Sequence, residues 1–414
     1  MSGYADNTTA PHFCGVSGAR KGVELAHGAE TCHKSPGNCP VVMLRHIGIK
    51  LPGTSKVAEA GKINGPFLAW GPREVLVDWP RPPDYHRHHE PAVRNLRSKY
   101  RVNFLFFICV EAHVSELHQI KSGKNAARLC YVSSQDGGRS WSQLTDLTDR
   151  VIGDDMRNWA TFAVGPGHGL QLSSGRLVIP AYTYYIHKRS CGLPVCCCTK
   201  PHCFIFYSDD SGRSWALGQL VTALRAGECQ VAELTSEDDN RVLYCNGRSP
   251  DKYRVEAFST DDGNQFEESF LCKELPETGK GCLGSVVSFT PVLRHLGVDR
   301  LEKDGGEPSY PLVDTPSVSL KTPEQWLLFS HPTGRRKRVD LGIYLNTTPL
   351  VKGSWKDPWV LNEGPSGYSD LVACEESGSV LFGCLFESGV SSELEEIAFQ
   401  LFSDTELLKN VKEG

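Results

Sequence analysis

The chain has 414 residues, 40% of them hydrophobic, and a formal net charge of −5 from 44 basic and 49 acidic side chains. That composition supports a large core, excludes global disorder, and offers no basic stripe for a nucleic-acid partner. The most apolar run, 102–110, is far shorter than the ~20 residues of a spanning helix, and residues 1–14 lack the apolar core of a signal peptide, so a cytoplasmic chain or one held peripherally at a membrane is expected.

Residues 1–99 carry Pro, Gly and His clusters but few strand patterns, and are set apart as a divergent amino-terminal segment. From there on, short β-rich runs recur at 102–110, 128–133, 176–185, 203–207, 241–245, 326–330, 380–386 and 396–402, separated by Gly, Asp, Ser and Asn. Such spacing predicts an all-β sandwich, barrel or propeller. A charged, Gly- and Pro-rich stretch at about 295–322 is expected to be a surface insertion within a propeller domain spanning 100–407.

An internal repeat selects the propeller. Ser134-Gln135-Asp136-Gly137-Gly138-Arg139-Ser140-Trp141 matches Ser208-Asp209-Asp210-Ser211-Gly212-Arg213-Ser214-Trp215, and Ser259-Thr260-Asp261-Asp262-Gly263-Asn264-Gln265-Phe266 is a weaker copy. The octet predicts a stapled hairpin turn. Its Asp accepts backbone N–H bonds, its Gly takes a positive φ, and its aromatic ring wedges between sheets. These aspartate boxes serve the scaffold, not the chemistry.

The chemistry comes from a resemblance. Asn103-Phe-Leu-Phe-Phe-Ile-Cys109, Ala126-Ala-Arg-Leu-Cys130, Trp159-Ala-Thr-Phe-Ala-Val-Gly-Pro-Gly-His168, Val178-Ile-Pro-Ala-Tyr-Thr-Tyr184, Glu228-Cys-Gln-Val-Ala-Glu233, Arg338-Val-Asp-Leu-Gly342 and Gly367-Tyr-Ser-Asp-Leu371 occur in the order found in animal sialidases (neuraminidases). The chain most resembles the plasma-membrane ganglioside type. The resemblance implies a six-bladed β-propeller, with its first blade altered or incomplete here, that removes terminal sialic acid from glycolipids or glycoproteins with retention.

It also implies a site. Arg248 and Arg338 match two of three arginines that hold the substrate carboxylate, a role suited to the permanently charged guanidinium fork. Tyr368 matches the nucleophile and Glu228 its base. A phenol approaches the anionic substrate neutral, whereas a carboxylate nucleophile would be repelled. Tyr182 and Tyr184, two apart and so on one face of a strand, match pocket residues, as does Glu116. On pattern alone the tyrosines equally suit a core, and the charged residues a solvated surface.

The first triad arginine, carried by a Tyr-Arg-Ile-Pro motif, and the Asp acid/base have no counterpart. Asp6, Asp78 and Asp84 stand in no matching context, and the His-Arg…Asn-Pro segment survives only as His86-Arg87 and Glu90-Pro91. A second reading is therefore a catalytically impaired propeller that binds sialic acid. No cofactor or metal is required. His86, His88, His89 and Glu90 match no standard ligand set, and Cys196-Cys197-Cys198 lacks a paired C-x-x-C. The sixteen cysteines read as reduced thiols. Those at 191, 196, 197 and 198, in a loop with His187, Lys188, Arg189 and Lys200, suit an anionic membrane face and palmitoylation.

Overall fold

The computed structural model describes residues 74–77, 102–110, 114–136, 138–190, 193–194, 198–236, 240–291, 325–376 and 379–411. Among them, strands form four sheets of four or more strands, with short α-helices at Glu116–Ser122 and Asp404–Asn410. The first sheet joins Glu74–Val77, Asn103–Val110, Ala127–Ser134 and Thr145–Asp146, with Gly167–His168 added in parallel. The second is Trp159–Val164, Leu177–Ile186, Thr199–Ser208 and Ala216–Leu217. The third is Cys229–Thr235, Arg241–Gly247, Tyr253–Ser259 and Glu268–Pro276. The fourth runs from Ser285–Phe289 through Trp326–Pro332, Val339–Asn346, Trp359–Glu376 and Ser379–Ser388 to Glu396–Ser403.

Successive antiparallel meanders are the arrangement of propeller blades. The all-β propeller expectation therefore holds, with four blade sheets among the described residues where six were expected. Part of the difference has a physical cause. Trp359–Glu376 is 18 residues long, and it pairs with Val339–Asn346 by its first part and with Ser379–Ser388 by its second, fusing six strands into one sheet. The rest of the segment 1–99, apart from Glu74–Val77, and the insertion at about 295–322 lie outside the described residues.

The three boxes share one hydrogen-bond pattern. In the second, Ser208 Oγ donates to Asp210 Oδ1 at 2.8 Å and accepts from Gly212 N at 2.8 Å, while Asp210 accepts from Ser214 N at 2.8 Å and Ser214 Oγ at 2.6 Å. The first and third boxes repeat the Ser–Asp and Gly–Ser bonds at 2.8–2.9 Å. Gly212 has φ +84°, and a Cβ there would lie 2.2 Å from Phe104 Cζ. The box thus docks its blade on the one before it. Trp215 completes the contact, its ring edge-on to Phe104 and Phe106 with centroids 5.6 and 4.7 Å away. Between the third and fourth sheets, Tyr244, Trp355 and Phe329 pack together. A buried polar link joins the first sheet to the fourth, with His168 Nδ1 2.7 Å from Asp370 Oδ1.

Candidate active site

Glu228 and Arg248 flank one strand pair of the third sheet. Its register sets Cys229 opposite Gly247, and the ladder continues one step further, Arg248 N donating to Glu228 O at 2.8 Å. The two side chains therefore emerge together. Arg248 Nη1 donates to Glu228 Oε2 at 2.7 Å and to the Tyr368 hydroxyl at 3.2 Å. That hydroxyl donates in turn to Glu228 Oε1.

Tyr368 and Arg338 come from irregular places in the fourth sheet. The pairing of Trp359–Glu376 with Ser379–Ser388 slips between Ser366 and Ser369, a bulge that re-aims the intervening side chain. Tyr368 N then bonds the Glu387 carboxylate at 3.0 Å. Arg338 precedes a second slip, between Val339 and Leu341. There Asp340 takes a left-handed φ of 58°, which short polar side chains tolerate, and its carboxylate accepts from Gly364 N at 2.8 Å. The Arg338 guanidinium lies 5.2 Å from the centre of the Tyr368 ring. Its Nε and Nη2 donate to Gly281 O at 3.2 and 3.0 Å. Its Nη1 is buried without a hydrogen-bond partner, 3.8 Å from the Glu393 carboxylate.

Tyr368 and Glu228 are buried, and the Arg248 side chain keeps 18% of its exposure. Burial opposes the charge of Arg248, but Glu228 and then Tyr368 outweigh it and hold its pKa above the ordinary guanidinium value. For Arg338, burial is again opposed, here by Cys282 and Tyr368, and the net direction is up. A phenol held between a carboxylate and two guanidinium groups can lose its proton to the carboxylate while the cations stabilise the phenolate.

Behind the arginines lies a network that the sequence reading missed. Arg254 is fully buried, donating to Asn246 Oδ1 at 2.7 Å, Glu277 Oε1 at 2.9 Å and Cys282 O at 2.7 Å. Glu277 also accepts from Ser249 N at 3.0 Å and Cys282 N at 3.2 Å, with His331 Nε2 3.3 Å away. Burial raises the Glu277 pKa, but Arg254 and His331 more than reverse that, bringing it down to about 2. The network fixes the turn whose Lys280 and Gly281 carbonyls accept from Arg248 and Arg338. Gly281 has φ +69°, and a Cβ there would lie 2.4 Å from Arg248 Nε, so the guanidinium stem rests directly on its backbone. The one sequence signal was Tyr253-Arg254-Val255-Glu256, a strand with charges at both of its polar positions.

The other three expected residues form a neighbouring cluster. Glu116 opens the helix Glu116–Ser122, capped by Ser115, and its Oε1 accepts from the Tyr182 hydroxyl at 3.0 Å. Tyr182 and Tyr184 meet edge to face at 6.1 Å. Cys229 Sγ, one residue from Glu228, donates to Ala181 O, one residue from Tyr182, at 3.4 Å, which ties this cluster to the first. The segments that would hold a first arginine or an acid/base, 1–73 and 78–101, lie outside the described residues, as do His86, His88, His89, Glu90, Cys191, Cys196 and Cys197.

The BNR repeat-like domain family model matches residues 67–381. Human Sialidase-3 is 49% identical over 366 residues, covering 86% of this chain and 83% of that protein. Mouse Sialidase-3 is 48% identical over 360 residues, covering 85% and 84%. Human Sialidase-4 is 41% identical over 414 residues, covering 86% and 85%. The solved structure of the Hadza microbial sialidase Hz136 superposes with a TM-score of 0.54 at 22% identity, covering 74% of this chain but only 50% of that one; the likeness is one of fold.

Proposed function

The chain belongs to the sialidase family, and on that premise we propose that it is a retaining exo-α-sialidase with Tyr368 as nucleophile, Glu228 as its base, and Arg248 and Arg338 as holders of the substrate carboxylate. The observation that carries this reading is the hydroxyl of Tyr368 bonded at once to Glu228 and Arg248. The buried, unsatisfied Nη1 of Arg338 supplies a donor for an incoming carboxylate. Tyr368 Oη bonds to the anomeric carbon as its proton passes to Glu228, and the glycosidic C–O bond breaks with its electron pair on the aglycone oxygen, which takes a proton from solvent. Water then attacks the anomeric carbon from the face the aglycone left, opposite Tyr368, and gives one proton to solvent; the bond to Tyr368 breaks, the phenolate recovers its proton from Glu228, and the configuration is retained. The reading as a binding propeller without turnover is not favoured by 49% identity to Sialidase-3 over most of the chain.

Tyr182 and Tyr184 are proposed to line the pocket beside the glycerol and N-acyl groups, with Glu116 as a further pocket acid. Gangliosides and sialylated glycoproteins are the proposed substrates. Among the described residues no helix is long and apolar enough to cross a membrane. Peripheral contact is proposed through Lys188, Arg189 and Lys200, whose charges suit anionic headgroups. A six-blade count is proposed, with the fused fourth sheet treated as two blades that share Trp359–Glu376.

A 2,3-difluorinated sialic acid analogue tests the nucleophile, because it slows departure of the covalent adduct. Peptide mass mapping is expected to find the adduct on the peptide containing Tyr368. An adduct on another residue would overturn the assignment.

A further inference from the structure

Cys203, Cys229 and Cys245 come from three strands in two sheets, yet their Sγ atoms lie within 4.8 Å of one another, all buried. The catalytic scheme above leaves them without a task. A d¹⁰ metal ion bound by thiolates at ~2.3 Å holds its sulfurs ~4 Å apart, so closing this trio on an ion asks each pair to move by under about 1 Å. The donors are soft sulfur only, which selects zinc, cadmium or copper(I) over magnesium or calcium. A carbonyl stands beside the trio as well, Ala181 O, 3.4 Å from Cys229 Sγ.

The placement is as informative as the chemistry. Cys229 follows Glu228 in the chain, and Cys245 lies three residues before Arg248 on the paired strand. Cys203 pairs in register with Tyr182, and its Sγ lies 3.7 Å from where a Cβ of residue 247 would stand. All three cysteines thus lie on strands that adjoin the base and an arginine or pair with a pocket tyrosine. We propose that Cys203, Cys229 and Cys245 form a binding site for one thiophilic metal ion, and that filling it draws these strands together and lowers sialidase activity. Each sulfur that ligates gives its proton to solvent and its electron pair to the ion. The effect on activity rests on the catalytic role proposed for Glu228; the binding does not.

The probe is Cd²⁺ titrated into the full chain, read by thiolate-to-cadmium absorbance and, separately, by sialoside turnover. Cysteines 191, 196, 197 and 198 are first changed to Ser to remove a competing cluster. Expected is one ion per chain and matching loss of turnover, both reversed by a chelator. Cys203→Val and Cys245→Val, which keep an apolar side chain in the core, are expected to weaken binding at least tenfold, whereas Cys384→Val, a buried control elsewhere, leaves it unchanged. Equal cadmium affinity in folded trio variants and control overturns the site. If the Val variants fail to fold, X-ray absorption on the Cd²⁺-loaded parent decides: three sulfur neighbours are expected, and fewer refute it. Binding without loss of turnover keeps the metal site and refutes its action on Glu228.

Discussion

Replacing Glu277 by Gln removes a buried charge whose worth can be worked from its surroundings. The carboxylate is bonded to Arg254 at 2.9 Å and to two backbone N–H groups, with His331 at 3.3 Å. Its pKa falls from 4.5 to about 2, which corresponds to about 3 kcal/mol of stability at neutral pH. Stranding the fully buried Arg254 costs roughly 3–5 kcal/mol by the usual experience with broken buried pairs, so the two estimates agree. Urea unfolding of Glu277→Gln at pH 7 is therefore expected to lose about 3 kcal/mol. A depressed folded-state pKa gives stability that is present above the unfolded value and disappears as pH falls through the folded one. The deficit should thus shrink between pH 4.5 and about 2. Because the network holds the turn behind Arg248 and Arg338, the variant is also expected to raise KM for sialosides. The double variant Glu277→Leu with Arg254→Met buries no charge but leaves Ser249 N, Cys282 N, Cys282 O and Asn246 Oδ1 without these partners, so it is expected to recover part of the stability at most, and not KM. A Glu277→Gln deficit below about 1 kcal/mol, or one unchanged from pH 7 to 2, would falsify this account.

Tyr368→Phe and Glu228→Gln are each expected to lower turnover of a fluorogenic sialoside by about 10²–10⁴-fold with the fold intact by circular dichroism; near-normal turnover in either would reassign the role. His168 is buried, which lowers its pKa, but Asp370 outweighs burial and the net shift is upward from 6.5. Its protonated form therefore stabilises the fold below that value, and the contribution fades as pH rises through the raised pKa. The melting-temperature gap between the natural chain and His168→Gln should accordingly narrow as pH rises above about 6.5 and through the raised pKa; a constant gap argues for packing alone. Gly212→Ala, which forces a Cβ onto Phe104 at positive φ, is expected to cost about 2 kcal/mol or more in urea unfolding, and a neutral result would mean that the box can shift on its neighbour.

Local pattern determined the scaffold. The run at 176–185 is now Leu177–Ile186, and that at 396–402 is Glu396–Ser403, because β-branched and aromatic runs bounded by turn residues make strands wherever a sheet can take them. The boxes were equally legible, since Ser, Asp and Gly close their bonds within eight residues. Strands with buried polar positions were not legible. Tyr253–Ser259 buries Arg254 and Glu256, whose partners, Asn246, Glu277 and Cys282 for the first and Tyr244 and Trp355 for the second, come from other segments of the chain. The seven expected site residues were named by motif resemblance, but which of them touch was decided by the tertiary structure. A bulge aims Tyr368, a left-handed Asp340 follows Arg338, and a shared ladder pairs Glu228 with Arg248. The closeness of Cys203, Cys229 and Cys245 has no trace in the sequence, where they stand 26 and 16 positions apart. It arises only because neighbouring blades bring three strands of the chain to one point in the core.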